Sequence, residues 1–329
     1  MNSPGSIPLV QAAPLAPGAR LPVARYRFDF RMRDELRLPD YAGSLLRGQF
    51  GAALRRTACM TRAKTCDGCP LLSTCPYPAI FDTPPPPSHA LQKFSRVPNP
   101  YVIEPPPLGT RAVAAGGTLS FGMVLVGRAL DQLPLIVYSL QRALRQGLTR
   151  HRAAGELTAI ALENTNGQAD VWDGEAGRLL PHDASLALPD FGAPRTAQLA
   201  VVTPLRLQDN GHPAAGEAVS ARRLVTALIR RATLLFEFHA GLAGLGASAT
   251  GLARHAETLA SERDLSWHDW TRYSSRRQRE MTLGGVLGTW TLRGDLAPLA
   301  PWLWLGQWLH AGKNATMGMG RYRLLLGVA

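Results

Sequence analysis

All four cysteines of the chain fall in one stretch, at positions 59, 66, 69 and 75, in a Cys-x6-Cys-x2-Cys-x5-Cys arrangement. Two thiolates two residues apart can grip one metal while the intervening amides point at the sulfurs. Four thiolates within 17 residues favour tetrahedral zinc, with an iron–sulfur cluster as the alternative. Cys59, Cys66, Cys69 and Cys75 are therefore expected to form a closed, structural metal knuckle. Prolines directly after Cys69 and Cys75 argue against a helix there. Clustered cysteines in so long a chain suit a reducing cytosol better than a disulfide framework.

A second constellation runs from His310 to Arg323 (HAGKNATMGMGRYR). Gly312, Gly318 and Gly320 allow close approach of backbone to a ligand, and exposed amides there would bind phosphate oxygens. Lys313 and Arg321 add positive charge. Gly-Lys is followed by Asn314 and leads toward a strand, so it is not a nucleotide-hydrolysing Walker loop. His310 stands three residues before Lys313 at the end of an expected helix. Together they can supply proton transfer and phosphate stabilisation. Tyr41, at the start of the first expected helix, is a further candidate hydrogen-bonding or acid group.

A third constellation, Trp270 to Arg279 (WTRYSSRRQR), sets arginines beside aromatic rings. Arg272, Arg276 and Arg277 suit phosphate, and Tyr273 suits base stacking. Arg222 and Arg230 are spaced along one helix and can line a groove for duplex phosphate. Of the other histidines, His239 is read as core. His268, between Trp267 and Trp270, is read as packed, with base stacking as the alternative.

The rest of the chain must position these groups. It has 329 residues, 46% hydrophobic and 18% charged, which fits about two globular domains and excludes global disorder. Its 36 basic against 24 acidic residues give a net charge of +12, pointing to a polyanionic partner. No run is long and apolar enough to span a membrane, so a cytoplasmic protein is expected.

Alternation over 25–33 (RYRFDFRMR) predicts a half-buried strand, and helical spacing follows over 41–56. Strands are expected at 101–103, 118–126 and 155–164, and a helix at 131–146. A second series follows: strand 198–207, helix 217–243, strands 266–276 and 280–293, helix 295–309 and strand 319–326. Each series reads β-α-β-β-α-β. The expected fold class is α+β: two tandem ferredoxin-like domains of the RRM-like kind, with a small cysteine metal-knuckle insertion. The boundaries read 1–20 disordered tail, 21–165 first domain, 166–195 linker and 196–329 second domain.

The glycine-rich run resembles the signature of the RAMP superfamily of CRISPR-associated RNA-binding proteins. More narrowly, the chain resembles the endoribonucleases that process precursor CRISPR RNA (crRNA), in the branch that carries cysteines. The segments that carry this likeness are Leu38 to Gly48 (LPDYAGSLLRG), the cysteine cluster ending in CPYP, Pro100 to Pro105 (PYVIEP), and Tyr273 to Gln278 (YSSRRQ) before Gly284-Gly285. The resemblance implies CRISPR repeat RNA as partner, and cleavage without a catalytic metal. A ribose 2′-OH would attack the adjacent phosphate, leaving a 2′,3′-cyclic phosphate and a 5′-OH. Members commonly carry a catalytic histidine in or near the first helix, and residues 41–56 contain none. The alternative is a non-catalytic RAMP subunit that binds crRNA beside other effector subunits.

Overall fold

The computed structural model describes residues 15–85, 97–165, 167–274 and 279–328. Among the described residues, two large antiparallel sheets, each carrying helices, form the body, beside smaller two-stranded pairings. The first contains β1 (Val23–Met32), β2 (Tyr101–Glu104), β3 (Thr118–Val126), β4 (Gly155–Asn164) and β5 (Gly167–Asp170), in the spatial order β2-β3-β1-β4-β5. The second contains β6 (Thr196–Leu205), β7 (Ala260–Ser274), β8 (Arg279–Arg293) and β9 (Tyr322–Gly327), in the order β7-β8-β6-β9. In both, the first strand of the series lies between the third and the fourth. With the intervening helices this is the split βαβ pattern expected, twice over.

In the first half, α1 (Gly43–Ala58) and α3 (Leu133–Gln146) cover one face of the sheet. The alternation in β1 turns Tyr26, Phe28, Phe30 and Met32 into that core, each at most 1% exposed. Leu46, Phe50, Ala53 and Leu54 meet them from α1 at helical spacing. In the second half, α4 (Ala221–Ala240) packs with α5 (Ala249–His255) and α6 (Ala300–Leu309) over their own sheet. Ser220 caps α4 by accepting the Arg223 N–H, and Gly241 ends the helix in the left-handed conformation.

The halves share a core. Val23, Val102, Val124 and Val126, all from the first sheet, are buried in the apolar cluster of the second half. A fully buried valine contributes about 1.5–3 kcal/mol, so four make a stable seam rather than a hinge. Between the halves, Trp172–Asp173 pairs with Arg178–Leu179, and Leu186–Ala187 pairs with Arg20–Leu21, which ties the connecting segment to the body. Among the described residues, no helix is long and apolar enough to cross a membrane.

Two local expectations are corrected. Pro76 does not exclude a helix but starts one: α2 (Pro76–Phe81) carries it in the first turn, where its missing N–H costs nothing. Strand β7 begins at Ala260, and its pairing with β8 runs from Ala260–Arg293 to Ser274–Arg279. Pairing of β8 with β6 stops at Val286, so residues 267–274 and 279–285 extend as a two-stranded arm past the sheet. Nothing can be placed for Arg276 and Arg277, which lie outside the described residues.

Candidate RNA interface at the seam of the two halves

The glycine-rich run forms the joint between the halves. His310 follows α6 with φ +60°, and the backbone of 310–321 folds back on itself through Ala311 N–H to Gly320 O at 3.1 Å. A bulge in β6 receives it. Register with β8 breaks between Val201 and Leu205, and the freed groups turn to the loop. Gly320 N–H donates to Pro204 O at 3.0 Å, and Lys313 N–H to Arg206 O at 2.9 Å. The Thr203 hydroxyl donates to Gly318 O at 2.7 Å and accepts the Arg321 N–H at 2.8 Å.

These glycines are close-packed against the protein's own backbone, not open to a ligand. A Cβ on Gly312 would lie 2.4 Å from Arg206 O, one on Gly318 2.5 Å from Ile103 O, and one on Gly320 1.9 Å from Ala311 O. All three have positive φ. The expected phosphate cradle is thus a packed seam. Its outward-facing cations are Lys313, which is exposed, and Arg321, whose side chain is 33% exposed.

Tyr41 is part of the packing. It is 2% exposed, donates its hydroxyl proton to Met317 O at 2.8 Å and lies 4.5 Å from the Trp270 ring. Burial pushes its phenol well above the usual tyrosine range. Trp270, Leu283, Met317 and Met319 complete this small cluster, which fastens the arm to the start of α1 and to the loop. Trp270 is therefore not available for base stacking. Trp267, 41% exposed, is an aromatic that the arm presents to solvent.

His310 is corrected likewise. It is fully buried, with Nε2 2.9 Å from Glu104 Oε1 and Nδ1 3.1 Å from Met319 O. Both ring nitrogens face acceptors of the protein, so the ring has no nitrogen to offer a substrate. Burial lowers its pKa, and the Glu104 contact works against that shift.

Glu104 is the residue that sequence reasoning missed. It ends β2, is 2% exposed, and also meets Arg25 at 3.1 Å and Arg321 at 3.7 Å. Burial opposes its charge, but Arg25, the hydrogen bond from His310 and Arg321 outweigh burial and carry its pKa down to about 2. Arg25 is held in turn by Gln307 O at 2.5 Å and by the Trp308 ring, 4.3 Å from its guanidinium carbon. One carboxylate thus joins β1 and β2 of the first half to α6 and the loop of the second. A lone acid ending the apolar run YVI was the signal available for it.

The exposed histidine near the seam is His268. It pairs with Gly285, two residues before Trp270, so it shares the face of the arm that meets the loop. The place where a Cβ on Gly285 would lie is 2.7 Å from Leu205 O. The neighbouring Gly284 O accepts from Arg206 at 2.8 Å, and the Arg206 carbonyl holds Lys313. The Arg206 side chain and carbonyl therefore tie the strand opposite His268 to Lys313. The expectation that His268 is packed is corrected: it is exposed.

The remaining expected groups are more dispersed. Arg272 and Tyr273 lie on the arm, paired through their backbones with Met281 and Glu280. Arg230 is exposed on α4, while Arg222 is ion-paired with Glu257. Half-buried Arg231, one residue on, caps α6 by donating to Leu309 O at 2.6 Å. The four cysteines, all free thiols, line one cavity. Among the described residues, no group of three or more His, Cys, Asp or Glu side chains is placed to hold a metal ion.

Residues 199–322 match the family model of the CRISPR-associated endoribonuclease Cas6, and residues 21–184 match that of the AF_1859 N-terminal domain. A protein of Archaeoglobus fulgidus described as uncharacterized is 24% identical over 87% of this chain and 92% of its own length. A Cas6 product complex superposes with TM-score 0.57 at 16% identity, covering 92% of this chain and 99% of that one. Thermus thermophilus Cas6 gives 0.52 at 15% identity, covering 93% and 99%. A partial Cas6-RT-Cas1–Cas2 complex gives 0.53 at 15% identity, and there 93% of this chain spans 46% of the longer one. Over residues 199–322 the likeness to CRISPR-associated endoribonucleases read from the motifs is borne out by the family model, and the Cas6 structures share the two-fold ferredoxin-like fold.

Proposed function

We propose that this chain, whose residues 199–322 match the Cas6 family, binds CRISPR repeat RNA and processes precursor crRNA in the cytoplasm. The observation that carries the reading is the arm laid across the glycine-rich seam. It sets an exposed imidazole, His268, on the face that meets the loop bearing Lys313 and Arg321. The net charge of +12 supplies the attraction for phosphate.

In the proposed chemistry a ribose 2′-OH attacks the adjacent phosphate without a catalytic metal. His268 moves the proton, as base for the 2′-OH or as acid for the departing 5′-oxygen. Lys313 and Arg321 offset the charge that develops on the phosphorane. Trp267 offers a ring for an unpaired base, and Arg272 and Tyr273 extend the contact along the arm. His310 and Tyr41 act by holding the loop, not by touching RNA.

A second reading is a non-catalytic RAMP subunit that binds crRNA alongside other CRISPR proteins. The burial of His310 and Tyr41 favours it; the exposed His268 favours catalysis. End-labelled repeat RNA incubated in EDTA decides between them. A single cut, with a 3′ end resistant to phosphatase until acid opens the cyclic phosphate, supports the endoribonuclease. Tight binding with no cut supports the subunit.

A further inference from the structure

The loop between α1 and α2 has no core of its own. From Met60 to Thr74 no residue is buried, and the only ones partly withdrawn from solvent are Cys66, Cys69 and Leu72. The other two cysteines end helices: Cys59 is the C-cap of α1 and Cys75 the N-cap of α2. The loop nevertheless holds a defined path. Cys69 N–H donates to Cys66 O at 3.2 Å, Cys75 N–H to Leu71 O at 2.9 Å, and Gly68 takes φ +71° to close the turn. Arg55 of α1 donates to Ala63 O and Lys64 O at 2.6 and 2.7 Å. What faces inward is sulfur: all four cysteines, with Leu72 and Tyr77, line one cavity. A loop that buries almost nothing apolar lacks the usual means to offset its ordering entropy, and a bound inorganic centre supplies it.

The spread of the sulfurs selects the centre. A zinc ion holds four thiolates at about 2.3 Å, crowded on one point. Here the Thr61 hydroxyl oxygen lies 3.8 Å from both the Cys59 and the Cys69 sulfur, and among the described residues no three ligating side chains converge on a point that could hold one ion. An iron–sulfur cube instead binds each thiolate through a different iron, so its ligands stand around a cavity. Prolines after Cys69 and Cys75 echo the Cys-Pro that closes cluster-binding runs.

We propose that Cys59, Cys66, Cys69 and Cys75 ligate a [4Fe–4S] cluster that staples α1 to α2. The staple has structural consequences. Helix α2 is 6 residues long, too short to persist unaided. Its Phe81 lies 6.0 Å from the Phe50 ring and 5.9 Å from the Tyr101 ring, which places it in the first-half core. Fixing Cys59 and Cys75 on one cluster fixes both helix ends. Arg55, Arg62 and Lys64 then offset the negative charge of the thiolate-bound cube. The proposal stands apart from the RNA reading and is unaffected if no RNA is cut.

The test is the metal content of the full-length chain purified without oxygen. The expected result is iron and acid-labile sulfide in equal amounts, about four of each per chain, with a broad visible absorption bleached by dithionite. One zinc per chain without sulfide overturns the proposal, as does iron without sulfide, an adventitious ion only. A chain isolated without metal is treated, without oxygen, with ferric salt, sulfide and excess thiol, which reduces part of the iron as it becomes disulfide, and failure to form the chromophore then also overturns it. Cys69→Ser should lose the chromophore. Because that variant can also lose solubility, the composition of the unmutated chain decides.

Discussion

Replacing Glu104 by glutamine removes one buried charge and keeps the shape of the side chain. Arg25 and His310 then face a neutral amide at the joint between the halves. The cost follows from the carboxyl itself. Its pKa moves from 4.5 to about 2 in the folded protein. At about 1.4 kcal/mol per tenfold, that is about 3 kcal/mol of preference for the charged, folded state. Removing one partner of a buried pair costs roughly 3–5 kcal/mol, which agrees. The folded pKa is depressed, so this stability is fully present above about pH 4.5 and is lost as pH falls toward about 2. Urea unfolding of wild type and Glu104→Gln across pH reads it directly. The two should differ by about 3 kcal/mol near neutrality and converge in acid. A difference below about 1 kcal/mol near neutrality, or one of the same size near pH 3, would refute the network as the clasp of the seam.

Three further outcomes are expected. His239 is buried, its Nε2 2.8 Å from Pro98 O, and burial lowers its pKa from 6.5 to about 4. The unfolded chain therefore binds a proton first, and stability should fall between about pH 6.5 and 4 in a His239→Gln-sensitive way, read by thermal melts. Gly320→Ala places a methyl group 1.9 Å from Ala311 O at φ +74°, so it should cost at least about 2 kcal/mol and disrupt the loop, read by urea unfolding. Trp267→Ala should weaken repeat-RNA binding by roughly 1–3 kcal/mol without changing stability, read by filter binding and melts together.

Much of the fold was legible because its signals are local. Strands β3 and β4 fall where alternation and apolar runs put them, at Thr118–Val126 and Gly155–Asn164. The early end of α4 was also written in the sequence, as Gly241 in the left-handed conformation. The site was less legible because its contacts are remote. His310 and Lys313 looked like a catalytic pair from their spacing, but Glu104, more than 200 positions away, turns His310 inward. The glycines read as a phosphate cradle because three of them in one loop free the backbone. Nothing local shows that Arg206, Ile103 and Ala311 occupy the space they leave. His268 looked packed between two tryptophans, yet strand alternation puts Trp267 on the opposite face and leaves the imidazole at the rim.

In the proposed reaction an exposed imidazole on the arm, not the buried one in the loop, moves the proton. Single-turnover cleavage of labelled repeat RNA by His268→Ala, beside its binding affinity, tests it most directly. Cleavage slowed by roughly 100-fold or more with affinity unchanged is the predicted result. Wild-type cleavage by that variant would contradict it and remove His268 from the chemistry.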